Sequence, residues 1–321
     1  MPHAEHGATI DGVRPTGDPT TPVTIIYAAE PADESIPAGS ADTRGSTTKP
    51  TLAGLEHMWG VEIIRGVQRV ARQHGVGVVL TEFGPDRNTI RYWIDNPLVR
   101  RPACVVTVAL LSEQRRNRLR VRSIPFVVLD PLMELPSDVR FVGATNWRGG
   151  RSATRHLIEL GHRRIAMIGG PEHVFCQARL DGYRSALDAA GLPMAADLVV
   201  SAGLTPDDGH AAAVALLNRS EPPTAIFTCN DLQALGVYQA ARELGLRIPD
   251  DLSVIGFDDL PIATQVYPAL TTIRQPLAAM AAAATELALA LGRGEPTPQI
   301  GVELATSLRV RQSTAAPRGC R

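Results

Sequence analysis

Apolar residues in this chain gather into short continuous runs, and each run gives way to a stretch where they recur every three or four positions. The runs at 23–27, 76–80, 103–107, 125–129, 165–168, 224–227 and 252–257 predict strands. Helical spacing is clear over 59–74, where Val61, Ile64, Val67 and Val70 keep one face apolar, and Gly75 stands ready to close the helix. The same period predicts helices over 112–122, 147–160, 176–190, 207–218, 231–244 and 276–291. Continuous apolar strands alternating with amphipathic helices predict parallel sheets covered on both faces. The units outnumber what one open sheet holds comfortably, so the expected fold class is α/β, with two doubly wound parallel-sheet lobes joined by crossovers.

Polar punctuation sets the expected boundaries. Residues 1–21, rich in Gly, Pro, Thr and His, read as a disordered tail, and 30–54 as a long inserted loop between the first strand and the first helix. An N-terminal lobe is expected from 22–145 plus 273–300, a C-terminal lobe from 146–272 plus 301–312, and a tail from 313–321.

Composition excludes several classes. The 321 residues carry a formal net charge of −1, with 44% hydrophobic residues, a balance that does not build a chain to coat nucleic acid or an anionic membrane. No apolar stretch approaches the roughly 20 residues of a membrane span, and residues 1–22 lack the apolar core of a secretory signal. Cys104, Cys176, Cys229 and Cys320 are scattered without metal-ligand spacing, so a reduced, cytoplasmic protein with no metal and no cofactor is expected.

The candidate chemistry lies where apolar strands end. The run 225–228 ends at Cys229-Asn230-Asp231 and the run 252–257 at Asp258-Asp259, and ligands of open α/β sheets bind outside the carboxyl ends of the strands. Asp231 is also placed to cap the helix that follows. Neighbouring residues on a strand face opposite ways, so Asp258 and Asp259 are not an acid/base pair for one substrate. Asp259 is expected to cap the following turn. The five arginines of 113–122 spread around a helix and read as a solvated face. Gly169-Gly170-Pro171 lacks the Lys-Ser/Thr of a phosphate loop, and neither Gly-x-Ser-x-Gly nor His-Glu-x-x-His occurs. No catalytic residue is expected, and the chain is read as a non-enzyme.

The block Gly161-His162-Arg163-Arg164-Ile165-Ala166-Met167-Ile168-Gly169-Gly170-Pro171 is followed in order by Arg179-Leu180-Asp181-Gly182-Tyr183, by Cys229-Asn230-Asp231, by Val254-Ile255-Gly256-Phe257-Asp258-Asp259 and by Pro268-Ala269-Leu270-Thr271-Thr272-Ile273-Arg274-Gln275-Pro276. Over roughly 22–312 this set resembles the effector-binding domain of LacI/GalR-type transcription regulators. The resemblance implies two periplasmic-binding-protein-like lobes with a small polar effector, a sugar above all, between them. It implies effector contacts at Arg179, Asn230, Asp258 and Asp130. An inter-lobe ion pair is the structural alternative for Arg179 and Asp258, and helix or turn capping for Asn230 and Asp130. Leu204 falls near where sugar-binding members stack an aromatic ring, and His173 and Phe175 fall where others carry polar groups. Trp59 is a candidate for stacking from the opposite lobe, or for packing under the preceding loop. The resemblance also implies a homodimer. Operator DNA becomes a partner only if a helix-turn-helix headpiece is encoded upstream, because residues 1–21 hold no pair of amphipathic helices and Arg14 is their only Arg or Lys. A sugar-binding protein without a DNA role is the alternative, and a sugar-acting enzyme the weaker one.

Overall fold

A computed structural model describes residues 22–28, 58–83, 102–108, 111–297 and 300–318. The tail at 1–21, the insertion at 30–54 and Cys320 lie outside them.

The strands are β1 (Val23–Ala28), β2 (Val78–Phe83), β3 (Cys104–Thr107), β4 (Phe126–Leu129), β5 (Phe141–Ala144), β6 (Ile165–Gly169), β7 (Val199–Ser201), β8 (Ala225–Thr228), β9 (Ser253–Asp258), β10 (Thr271–Arg274), β11 (Gly301–Leu304) and β12 (Ser307–Arg309). The helices are α1 (Met58–Gln73), α2 (Glu113–Val121), α3 (Asn146–Glu159), α4 (Val174–Ala189), α5 (Pro206–Leu217), α6 (Asp231–Glu243) and α7 (Leu277–Gly292). Every strand and helix named in the sequence is present, with ends moved by a few residues. Five short strands, β5, β7, β10, β11 and β12, went unread because Gly or polar residues interrupt them and leave no continuous apolar run.

Two six-stranded sheets carry the fold, in the orders β2-β1-β3-β4-β5-β11 and β7-β6-β8-β9-β10-β12. All pairings among the described residues are parallel except that of β10 with β12. Strands such as Cys104–Thr107 and Ala225–Thr228 are buried at every position, because helices cover both faces and no alternation is needed. The second sheet has separate cores on its two faces, one around Ile168, Leu216 and Val254 and the other around Met167, Tyr183 and Phe257. Leu260 of the C-terminal lobe joins the N-terminal core of Ile25, Val67 and Met280, so the lobes touch through apolar surface as well as through the chain.

The chain crosses between the lobes three times, after β5, after β10 and after β11. Sheet membership moves two boundaries expected from the sequence: residues 273–274 belong to the C-terminal sheet and 301–304 to the N-terminal one. Nothing in the apolar pattern marks these shifts, since β10 (Thr-Thr-Ile-Arg) and β11 (Gly-Val-Glu-Leu) carry too few apolar residues to show which sheet they join. Residues 313–318 are not a free tail either. Ser313 is fully buried, accepts from Thr271 N at 2.8 Å and donates to Val254 O at 2.6 Å. Two crossovers are stitched side by side, with Thr306 N donating to Thr145 Oγ1 at 3.0 Å and Thr306 Oγ1 donating to Thr145 O at 3.2 Å.

The helix α3, which carries the chain into the C-terminal lobe, lies close against α4. A Cβ on Gly150 would stand 2.1 Å from Arg179 O, and one on Gly182 would stand 2.1 Å from Trp147 O. These glycines let two backbones meet, and Arg179 rides on the contact. Gly150→Ala is therefore expected to cost about 1–3 kcal/mol of stability, since a backbone atom cannot swing aside. Gly77→Ala, where the nearest atom would be 3.9 Å away, is expected to stay within about 0.5 kcal/mol. Chemical denaturation of the two variants checks the pair.

Candidate functional site

The carboxyl end of β6 is the switch point of the second sheet, with β7 on one side and β8 on the other, and a doubly wound sheet opens its ligand crevice at such a point. Arg179, on α4, reaches across it. Its Nε donates to Asn146 Oδ1 at 2.9 Å, Nη1 to the Cys229 carbonyl at 2.5 Å and Nη2 to Gln275 Oε1 at 3.2 Å. Nη2 also lies 3.7 Å from Asp258 Oδ1. The guanidinium packs on the Phe257 ring at 3.5 Å and on the Phe175 ring at 4.9 Å, and the whole residue is 2% exposed. The planar fork is thus spent on four partners at once, a use that Arg geometry permits and Lys geometry does not.

From Gln275 the network passes to the other lobe. Its Nε2 donates to Asp130 Oδ2 at 3.0 Å, so the amide stands on a crossover between an N-terminal carboxylate and a C-terminal guanidinium. Asp130 closes β4 with φ of 50°, and Asp258 closes β9 with φ of 110°. Both aspartates leave ordinary strand geometry to turn inward, a strain that persists only where surrounding contacts hold it. Burial raises the pKa of Asp130, against the pull of Arg179 and the Gln275 hydrogen bond. Burial likewise raises Asp258 well above the ordinary carboxylate range; Arg179 opposes this, and the neighbouring aspartates add to it. Burial works to lower the Arg179 pKa, but the charges of Asp258 and Asp130 outweigh it and the value goes up. Two carboxyls share one cation in a dry site, and each added negative charge strains the others.

Asn230 is the N-cap of α6. Its Oδ1 accepts from Gln233 N at 2.8 Å and its Nδ2 donates to Leu204 O at 2.9 Å. The cap expected at Asp231 therefore sits one residue earlier. Asp231 is fully buried beneath the sheet end, its Oδ2 accepting from Leu260 N at 2.8 Å and its Oδ1 from Thr272 Oγ1 at 2.6 Å. Burial pushes its pKa up to about 7, even though both hydrogen bonds favour the anion. Asp259 does not cap the following turn as expected; it pairs with Arg311 Nη2 at 2.5 Å. It thus serves the C-terminal segment while Asp258 serves the site.

Of the sequence candidates, Asp130, Arg179 and Asp258 fall into one network, with Asn230 beside it through the Cys229 carbonyl. His173 and Phe175 stack at 5.5 Å, and Phe175 continues the stack onto Arg179. Leu204 supplies its carbonyl to Asn230, and its side chain lies against Gly170. Trp59 is half-buried and packs on the N-terminal core; the loop it is alternatively expected to pack under lies outside the described residues. Gln275 and Asn146 were missed. Each is a polar residue between a strand and a helix, as Asn230 is, but the strands before them, Phe-Val-Gly-Ala and Thr-Thr-Ile-Arg, form no continuous apolar run.

A groove of about 650 Å³ opens beside the network, with Asp130, Asn146 and Phe175 at its inner end and both lobes in its walls. Among the described residues, no group of three or more His, Cys, Asp or Glu side chains is placed to hold a metal ion, and no helix is long and apolar enough to cross a membrane.

The hinged lobes and the buried polar network at the switch point define a two-lobed binding core of the periplasmic-binding-protein-like type. Residues 154–314 match the family of periplasmic binding protein-like domains. Catabolite control protein A of Priestia megaterium is 28% identical over 283 residues, 87% of this chain and 85% of that protein. The HTH-type transcriptional regulator CelR of Thermobifida fusca is 38% identical over 212 residues, 64% of this chain and 62% of that protein. A solved complex of transcriptional regulator CelR with cellobiose superposes with a TM-score of 0.77 at 28% identity, covering 92% of this chain and 86% of that one. The chain belongs to the LacI/GalR family of transcription regulators. These relatives are regulators and not enzymes.

Asp231 offers a direct test of what is structure and what is site. In Asp231→Asn one oxygen that accepts a hydrogen bond becomes a donor facing Leu260 N or the Thr272 hydroxyl. A loss of about 1–3 kcal/mol is expected, measured by denaturation at pH 8, where the wild-type carboxyl is ionised.

Proposed function

We propose that this chain is the effector-sensing core of a LacI/GalR-type regulator and that its effector, a sugar or related polyhydroxyl metabolite, binds between the lobes at Arg179, Asp258, Asp130 and Asn230. One observation carries the reading: a single buried network runs from Asp130 in one lobe through Gln275 on a crossover to Arg179 and Asp258 in the other. Sugar hydroxyls donate and accept at adjacent positions, and carboxylates, amides and a guanidinium fork are the groups that answer them. A hydroxyl pair that takes over part of the Asp130–Gln275–Arg179 chain of hydrogen bonds changes which inter-lobe angle is favoured. It shifts that balance only by its difference in affinity for the two arrangements. Phe175 shapes the wall between His173 and Arg179, and Leu204 holds Asn230 through its carbonyl, so these residues bear on which sugar fits.

The partners in this reading are a second copy of the chain and operator DNA. Val61, Val79 and Leu80, exposed on α1 and β2, offer apolar area for the second copy. The output is the lobe angle, passed through the dimer to a DNA-binding segment. The solved sugar complex of a regulator 28% identical to this chain supports the same effector class.

The test is thermal stability of the purified chain against ribose, glucose, galactose, cellobiose, maltose and their phosphorylated relatives. Free ligand at 100 times its dissociation constant adds about 2.7 kcal/mol. A rise with one sugar, lost in both Asp258→Asn and Arg179→Lys, is expected. A rise that survives both variants would place the ligand elsewhere.

A further inference from the structure

The groove beside the network has features that the buried cluster does not need. It is lined from both lobes, its inner end shares Asp130 and Phe175 with the Arg179 network, and its volume of about 650 Å³ is of the order of a small-molecule site. Its walls expose apolar surface that solvent would normally drive inward: Trp147 is 43% exposed, Met133 47% and Ile300 49%. The Trp147 indole is steadied by Arg151, whose guanidinium carbon lies 5.9 Å from the ring centroid. Glu134 and Glu303 add exposed carboxylates to the lining.

We propose that this groove is a second saccharide subsite, so that the effector is an oligosaccharide of two or more units rather than a single sugar. The inference rests on the sugar reading above and deepens it. One unit meets the Asp130 end, and the next lies along the groove with the apolar face of its ring on the Trp147 indole. Its outer hydroxyls donate to Glu134 and Glu303, which as carboxylates can only accept. Asp130, Glu134 and Glu303 outnumber Arg148, the one cation of the described lining, so an anionic ligand would meet net repulsion. A wholly apolar ligand would have to dehydrate these carboxylates without offering a donor in return. A polyhydroxyl ring with one apolar face satisfies both kinds of surface. Because the walls come from two lobes, a ligand that spans the groove also bridges the hinge, and chain length becomes a determinant of the lobe angle.

The experiment is calorimetric titration of the full chain with glucose, cellobiose, cellotriose, maltose and maltotriose, repeated on Trp147→Ala and Trp147→Phe. At least one disaccharide is expected to bind about tenfold more tightly than glucose, the worth of one aromatic stacking contact. Trp147→Ala should remove that gain while leaving the glucose affinity within about twofold, and Trp147→Phe should restore most of it. Glutamine at Glu134 and Glu303 should weaken the disaccharide alone, a readout independent of the indole. Glucose binding as tightly as every longer sugar, or Trp147→Ala weakening glucose and disaccharide equally, overturns the groove and leaves the sugar reading standing. Binding of none of the five sugars by a well-folded chain overturns the groove, and the sugar reading falls with it if ribose, galactose and the phosphorylated sugars also fail to raise the melting temperature.

Discussion

The guanidinium of Arg179 is a charge held out of water, and everything around it follows from that constraint. A buried cation is tolerated only with counter-charge and with its donors filled. Asn146, the Cys229 carbonyl, Gln275 and Asp258 fill them. These four come from the start of α3, the end of β8, a crossover and the end of β9, so the arginine can be satisfied only if the C-terminal sheet and the hinge are both assembled. Close packing of α3 on α4 at Gly150 and Gly182 delivers the side chain to that point. Removing one member of such a cluster leaves another charge buried and unpaired, which is where the large energies lie. The net stabilisation from the intact cluster is small by comparison.

The same arrangement explains how a binding core can also be a switch. A site built for stability alone would be served as well by apolar residues of the same volume. Here the polar chain runs through Gln275, which stands on a hinge segment and hydrogen-bonds to both lobes. The lobes also touch through Leu260 in the N-terminal core and through the Val174 N to Leu132 O hydrogen bond of 3.0 Å. The lobes are thus joined by specific hydrogen bonds as well as by apolar contact of Leu232, Leu260 and Ile262 with the N-terminal core, and relative motion is the default expectation for domains joined through a hinge.

Much of this was legible in the sequence. The alternation of apolar runs with helical spacing pointed to two doubly wound lobes, and the polar residues at strand ends pointed to Asn230 and Asp258, with Asp130 added by the resemblance. Arg179 came from the resemblance of its motif and not from spacing. Gln275 and Asn146 follow strands broken by Gly, Thr or Arg, which form no apolar run to mark where a site residue would stand. The roles of neighbours were harder still: Asn230 and Asp231 look interchangeable as caps, and only the fold shows that one caps while the other is fully buried under Gly256. Asp259 paired with a residue 52 positions away, a contact no local pattern encodes. Boundaries at the crossovers moved for the same reason, since β10 and β11 are too mixed in composition for a local pattern to show which sheet they join.

The central claim is that Asp130 and Asp258, in different lobes, belong to one energetic unit. A double-mutant cycle on the free energy of unfolding, with Asp130→Asn, Asp258→Asn and the double variant at constant pH and salt, measures it. The account predicts an interaction energy of about 0.5–3 kcal/mol, as found for residues that share a network. Additivity within about 0.3 kcal/mol would mean that the two carboxyls are independent and that the lobes are not joined through Gln275 and Arg179.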